Sequence, residues 1–452
     1  MWATRFRIRQ YALTCLWLLP LLSGLLGMVL GSVCLLIDKD VHLPPYWQYT
    51  PSTASTVLTA IVSATAALLG FVVTVSVLGV QMTTGTFSAR YMRLWYRDRA
   101  LKAVLAVLVG TLTFSFVTFS FALLRRVQDK YVPNLGVTTA GLLVFASVLL
   151  FVVFFGRFLH RLRPVAVAAG VAGAGQRAFQ DMILEATSPD APNLISDDYG
   201  ATEAPVLVVR STRAGSIQAI HGRGLVGWAR EHKCLLVLPH WVGDFVAADE
   251  TLIEVFGDAA YGTADADRLR GMLALGIERT IEQDPAFAIR IMVDIANRAL
   301  SAAINDPTTA VQVLDHMGEL LRTIGTADLP SRERVPVDGA RGVVLIRTRC
   351  WDDLLALALT EIREYGANSL QVNRRLRALL EELHAKVLPD CRAAVEDQLA
   401  RLDASVLVHF ADSPDLDRAG TADRQGLGSA SSAPAGLASD STAPRGGAEH
   451  PA

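Results

Sequence analysis

Between Asp284 and Thr309 the chain gathers side chains able to hold or transfer charge: Asp284, Arg290, Asp294, Arg298, Asn305, Asp306 and Thr309. Arginine beside aspartate suits an anion or a metal-bound ligand, and a carboxylate such as Asp306 is of the kind that serves as a general base. The same residues also have a structural use. Asp284-Pro285 and Asp306-Pro307 each place an N-cap acceptor before a proline at the first helical position, where its missing N–H costs nothing. Arg290, Asp294 and Arg298 stand four residues apart, the spacing at which side chains pair along one helix face for roughly 0.2–0.5 kcal/mol each.

The element that must position them is a helix after Pro285. Its apolar residues, among them Ile289, Met292, Val293, Ile295 and Ala296, cover most of its circumference and leave the charged residues on one narrow stripe. A helix so apolar is expected to be buried. A second helix follows Pro307, with Val313, Leu314, Met317, Leu321 and Ile324 on its inner face.

Other chemistry is scarce, and no residue is assigned a catalytic role. His221, His232 and His240 lack ligand spacing on one helix face, and carrier-type lysines are absent from the turn Ala247–Glu250. Cys15, Cys34, Cys234, Cys350 and Cys391 form no CxxC pair. No Walker loop, GxGxxG or HExxH occurs. Neither a metal nor a cofactor is expected, and the net charge of −2 suggests no nucleic-acid partner.

Upstream lie four apolar blocks, at about 13–37, 53–80, 103–124 and 135–156, each long enough to cross a bilayer and free of ionisable residues. The first follows Arg5, Arg7 and Arg9 and exceeds a signal sequence in length, so it is expected to be retained. Basic residues cluster before the first block, between the second and third, and after the fourth. By the positive-inside rule this places both termini on the cytoplasmic side of an inner membrane, although Arg125 and Arg126 fall on the other side. In the loop between the second and third blocks, Arg90, Arg93, Arg97 and Arg99 interleave with Tyr91, Trp95 and Tyr96. That composition suits the interface, with anionic lipid as partner, and serves topology equally well. Ser63, Gly70 and Thr74 share one face of the second block, and Thr111, Ser115 and Thr118 share one of the third. They would either line a conduit or pack helix on helix.

The fold class expected is therefore membrane α-helical with four spans, plus a cytoplasmic α+β domain in which a small barrel-sandwich-like β part precedes a helical bundle. The divisions are a transmembrane domain at 1–163, a connecting helix and linker at 164–204, a β subdomain at 205–258, a helical (α+β) subdomain at 264–411 and a disordered tail at 412–452. The run from Ala264 to Gln283 is read as helical.

RTIEQDPAFAIRIMVDIANRALSAAINDPTTAVQVLD resembles the signature of a family of bacterial predicted membrane proteins recorded as domain of unknown function 2254. Ala299, Leu300, Ser301, Ile304, Asn305, Asp306 and Pro307 match its ALSPxINDP core, with Ala302 where proline is frequent. FSARYMRLWYRDR, VGDFV and ALALTEIREYG are similar to other family segments. The resemblance implies the four-span plan and a cytoplasmic-type C-terminal domain, and carries no activity. Two functions stand open: a non-enzymatic, oligomeric channel, transport-like or membrane-sensing protein, and a membrane-anchored enzyme with its site around Arg290, Asp294, Asn305 and Asp306. A homo-oligomeric interaction scaffold is a third.

Overall fold

The structure, a computed structural model, describes residues 2–38, 44–86, 90, 92–125, 132–161, 163–186, 192–195, 204–328 and 341–427. The side chains of Arg93 and Arg125, residues Tyr91 and Arg126, most of the linker and residues 428–452 of the tail lie outside what is described.

The chain opens on α1 (Trp2–Thr14), separate from α2 (Leu18–Ile37). The sequence reading runs the first span back to Leu13; the helix instead breaks at Cys15–Trp17. Pro20 accounts for the break: in a continuous helix its ring would strike the Leu16 carbonyl, whereas in the first turn of α2 it is tolerated. There follow α3 (Pro51–Thr86), the single turn α4 (Met92–Trp95), α5 (Arg99–Arg125) and α6 (Asn134–Arg161). Among the described residues, four helical segments have the length and apolar composition to cross a membrane: Leu18–Ile37, Pro51–Met82, Arg99–Ala122 and Asn134–His160.

Helix α5 is the hub, packing on α2, α3 and α6. Gly24, Gly27 and Gly31 bring α2 against it so closely that a Cβ on Gly27 would stand 2.4 Å from the Gly110 carbonyl oxygen. Several hydroxyls of the spans bond backbone carbonyls or each other, whereas buried Ser115 Oγ has no hydrogen-bond partner among the described residues. Ser23 Oγ donates to Ala106 O at 2.6 Å, Thr118 Oγ1 to Phe114 O at 3.0 Å, and Thr111 and Ser147 bond each other at 3.0 Å. Thr111, Ser115 and Thr118 are buried, while Ser63, Gly70 and Thr74 are exposed on the outside of α3. The two small-residue faces therefore do not meet within one copy of the chain.

Helix α7 (Pro164–Ala186) begins just beyond α6 and runs into the water-facing half. There the chain forms β1 (Asn193–Ile195), β2 (Leu207–Arg210), β3 (Gly215–Ile220), α8 (Gly222–Glu231), β4 (Leu235–Leu238), β5 (Phe245–Val246), β6 (Thr251–Phe256), α9 (Thr263–Arg270) and β7 (Leu273–Gly276). Next come α10 (Pro285–Ala299), α11 (Pro307–Gly325), β8 (Val343–Arg347), α12 (Trp351–Tyr365), α13 (Leu370–His384), α14 (Arg392–Phe410) and α15 (Leu416–Ala419).

Two sheets form. One is mixed, in the order β1-β8-β4-β6-β2, with β1, β8 and β4 parallel; the other, β5-β3-β7, is antiparallel. The strands flanking the turn Ala247–Glu250 thus belong to different sheets. Leu273–Gly276, expected as helix, is a strand. Its apolar run is completed by pairing with β3, a tertiary demand that overrides local helical preference. Strands β1 and β8 come from the expected linker and helical part, so the β subdomain is not continuous in sequence.

The larger core is helical. Ile289, Met292, Val313, Leu314 and Leu320 meet Val171 and Phe179 of α7 and faces of α12 and α13. Gly175 allows the contact, because a Cβ there would lie 2.7 Å from Ala288 Cβ and 3.1 Å from Leu320. Residues 412–427, expected in the disordered tail, pack on α13: Asp423 N donates to Arg374 O at 3.2 Å, Arg374 pairs with Asp423, and Ala419 is fully buried. One short apolar contact and a buried guanidinium partner order a segment whose composition alone reads as coil.

Candidate functional site

The expected polar constellation is spread along α10 in three groups. At its start, Asp284 is the N-cap and is buried. Its Oδ1 accepts from Phe287 N at 3.0 Å, and its Oδ2 accepts from Arg279 Nε at 3.0 Å and Nη2 at 2.7 Å. Burial pushes this carboxyl up from the usual carboxylate range, against the pull of Arg279 and the Phe287 N–H. Gly243 has φ +98°, and a Cβ there would lie 2.2 Å from Asp284 Oδ2, so the turn can close over the carboxylate only as glycine.

Midway along α10, Arg290 Nε donates to Asp294 Oδ1 at 2.9 Å, and its Nη1 and Nη2 form a fork on the Glu361 carboxylate of α12. Asn297 Nδ2 donates to the same carboxylate at 2.7 Å. The Arg290 hydrogen bonds hold Glu361 below the usual carboxylate range. Arg90, from the connection between the second and third spans, pairs with Asp294.

At the far end, Asn305 takes φ +50° and Asp306 caps α11, accepting from Thr309 N at 3.0 Å and Thr309 Oγ1 at 2.5 Å. Arg298 is exposed on α10. Asp306 is therefore occupied as a cap, and neither it, Asn305 nor Thr309 lines the cleft described below. The structure brings Arg290 and Asp294 together and keeps both apart from Asp284 and from the Asn305–Thr309 turn.

What α10 does collect is segments from elsewhere in the chain. The VGDFV turn meets its N-cap through Gly243, the loop of Arg90 and the helix of Glu361 meet its middle, and the INDP turn ends it. A family model described as predicted membrane protein (DUF2254) matches residues 14–382, which takes in all four segments. The chain belongs to this family. The uncharacterized proteins MT1328 and Rv1290c of Mycobacterium tuberculosis and Mb1321c of Mycobacterium bovis are each 27% identical to this DUF2254 chain over 427 residues, covering 91% of it and 80% of the relative. No solved structure matches.

A cleft of this DUF2254 protein lies where its parts join, with a volume of about 680 Å³. Its walls are α1 with Leu13, the first turn of α5, the outer face of α7, the Trp241 turn, the segment after β8, and Glu282–Ala286 leading into α10. Helix α1 closes one side by docking on the β half. Ala3 N donates to Gly271 O at 3.0 Å, and Trp2 stacks on His221 with ring centroids 4.9 Å apart. Arg97 joins the same junction, paired with Glu282 and hydrogen-bonded to Gln10. Burial pushes Glu282 up, but the Arg97 charge and the hydrogen bonds outweigh it and hold the carboxyl below its ordinary value. Two of the arginines read as membrane-interface residues, Arg90 and Arg97, thus face carboxylates of the water-facing half.

Trp241, Arg347, Arg349 and Arg177 escape sequence reasoning as site residues. Arg349 lies over the Trp241 ring at 4.2 Å and Arg347 at 5.2 Å. The one signal available was the Arg-Thr-Arg run that follows a strand and precedes a helix start.

Proposed function

We propose that this protein is a non-enzymatic membrane sensor, in which a cytoplasmic regulatory half sets the packing of four inner-membrane spans. The observation that carries this reading is α7. It starts just after the helix of the fourth span and is buried in the same core as α10 and α11, so a shift of that core is transmitted to α6. Helix α1 and the Arg90 and Arg97 contacts give the first three spans attachments to the same body. The enzyme alternative has less support, because Asp284 and Asp306 are caps and Arg290 and Asp294 are committed to ion pairs.

The test wedges α7 from α10. Gly175→Leu, with Gly175→Ala as the milder change, is combined with cysteines at Thr111 and Ser147 of α5 and α6, in a background with Cys15 and Cys34 replaced. Cross-linking in vesicles is expected to change several-fold with the wedge. An unchanged rate at both Gly175 variants overturns the coupling. Passage of ions through liposomes holding the wild-type chain would instead support a pore.

A further inference from the structure

The junction cleft is richer in cations than its neighbours can neutralise. Arg9, Arg97, Arg99, Arg177, Arg347 and Arg349 line it, against the carboxylates of Asp181, Glu185, Glu282 and Asp284. Glu282 is taken by Arg97, and Asp284 by Arg279 and the Phe287 N–H. Arg9, Arg99 and Arg177 make no ion pair with any described residue, and Arg349 reaches Asp244 only at 4.0 Å. After those pairings Asp181 and Glu185 remain against Arg9, Arg99, Arg177, Arg347 and Arg349, so the lining keeps an excess of positive charge that an entering anion would offset.

The arginines come from four parts of the chain: α1, the start of α5, α7, and the end of β8 with the segment after it, where Arg347 and Arg349 both lie over the Trp241 ring. No single helix terminus or charge run creates this arrangement. Stacking on the Trp241 face holds the Arg349 guanidinium plane without using its N–H donors, which preorganises a fork for tetrahedral oxyanions. Ile220, Leu194, Pro285 and Met182 supply an apolar wall beside the charges. A volume of about 680 Å³ fits a small organic anion, and a mix of apolar wall and a few directed polar groups is the usual make-up of such sites. Arg99 places one rim of the cleft at the start of the third span, and Leu13, at the end of α1, lies just before the first, near the depth expected of lipid headgroups.

We propose that the junction cleft binds a phosphate-bearing anion, gripped between Arg177 of α7 and Arg349 on Trp241, with Arg9 and Arg99 at the membrane-side rim. This assignment rests on the sensor reading, for which it supplies the sensed chemistry: a phosphate there would draw α1, α5 and α7 onto the β half together. The phosphate is either that of an anionic lipid headgroup or that of a soluble anion.

The full chain is placed in nanodiscs of phosphatidylcholine, with or without phosphatidylglycerol, and its thermal unfolding is followed while pyrophosphate is titrated. Stabilisation by pyrophosphate in neutral discs identifies a soluble ligand, and stabilisation by phosphatidylglycerol alone identifies the headgroup. In either case Arg177→Gln with Arg349→Gln is expected to weaken the response about tenfold. Arg268→Gln, an exposed residue outside the cleft, is expected to leave it unchanged. No stabilisation by either probe, or an equal response in the double variant, overturns the proposal. Should the double variant fold poorly, Arg9→Gln with Arg99→Gln at the exposed rim gives the same reading. The Gly175 cross-linking experiment contains no ligand, so failure of the phosphate assignment and failure of the coupling are told apart.

Discussion

Asp284 and Asp306 occupy the same position before a proline, yet their surroundings differ. Asp284 is buried with Arg279 as partner, and Asp306 is half-exposed with Thr309 alone. Asp284→Ala is expected to lower stability by about 3 kcal/mol or more, because it removes a cap and strands a guanidinium. Asp306→Asn keeps the capping oxygen and should stay within about 0.5 kcal/mol of wild type. Denaturant unfolding of the two variants in one detergent checks the contrast. Both caps were legible in the sequence, since Asp-Pro before an apolar periodic run has a local physical meaning. Glu361 was not, because its partner Arg290 lies 71 residues away and neither residue type announces the other. The same limit hid half of the demand on Gly243: its own φ of +98° calls for glycine, and the approach of Asp284, 41 residues on, leaves no room for a Cβ.

At the scale of elements, the long apolar helices were read almost to their ends, because span length and hydropathy leave few alternatives. α1 was legible only as a basic leader. Its docking depends on Trp2 meeting His221, and α8, which His221 precedes, has no signal pointing back to the N-terminus. That contact gives a pH dependence. Burial holds His221 below its ordinary value, with Glu185 pulling it up and Arg223 down. The docked form therefore binds fewer protons than the free form. Docking is complete above about pH 6.5 and weakens as pH falls from there through the lower docked value. Spin labels at Thr4 and Arg268 are expected to move apart between pH 7.5 and pH 5.5, and His221→Gln should abolish the change. A distance that is constant in the wild type counts against a titrating His221. Strand β7 shows the opposite limit of reading elements locally: Leu273–Gly276 reads as helix in isolation and becomes a strand only because β3 offers an edge.

For the whole molecule, the sequence divides the chain into consecutive blocks, and the structure weaves them. The mixed sheet takes β1 from before the β subdomain and β8 from well after it. A chain ending at Phe256 lacks both β7 and β8, so Leu235–Leu238 and Gly215–Ile220 each lose a sheet neighbour. Such a truncation is expected to be digested by protease throughout residues 204–256, whereas the full chain resists; survival of that segment would mean the β part is self-sufficient. The spans and the C-terminal half are likewise held by contacts no linear division displays, from Arg90 to Asp294 and from Arg97 to Glu282.

The docking of α1 also has a consequence for biosynthesis. Trp2 and Ala3 precede the four spans in the chain, but the surface they rest on, His221 and Gly271, follows all four of them. Until that surface exists, this helix with its three arginines lacks the partner that it has in the folded chain. Its capture therefore needs the chain as far as Gly271 but not the helices from α10 onward, and it ties the segment before the first span to the first part of the β half.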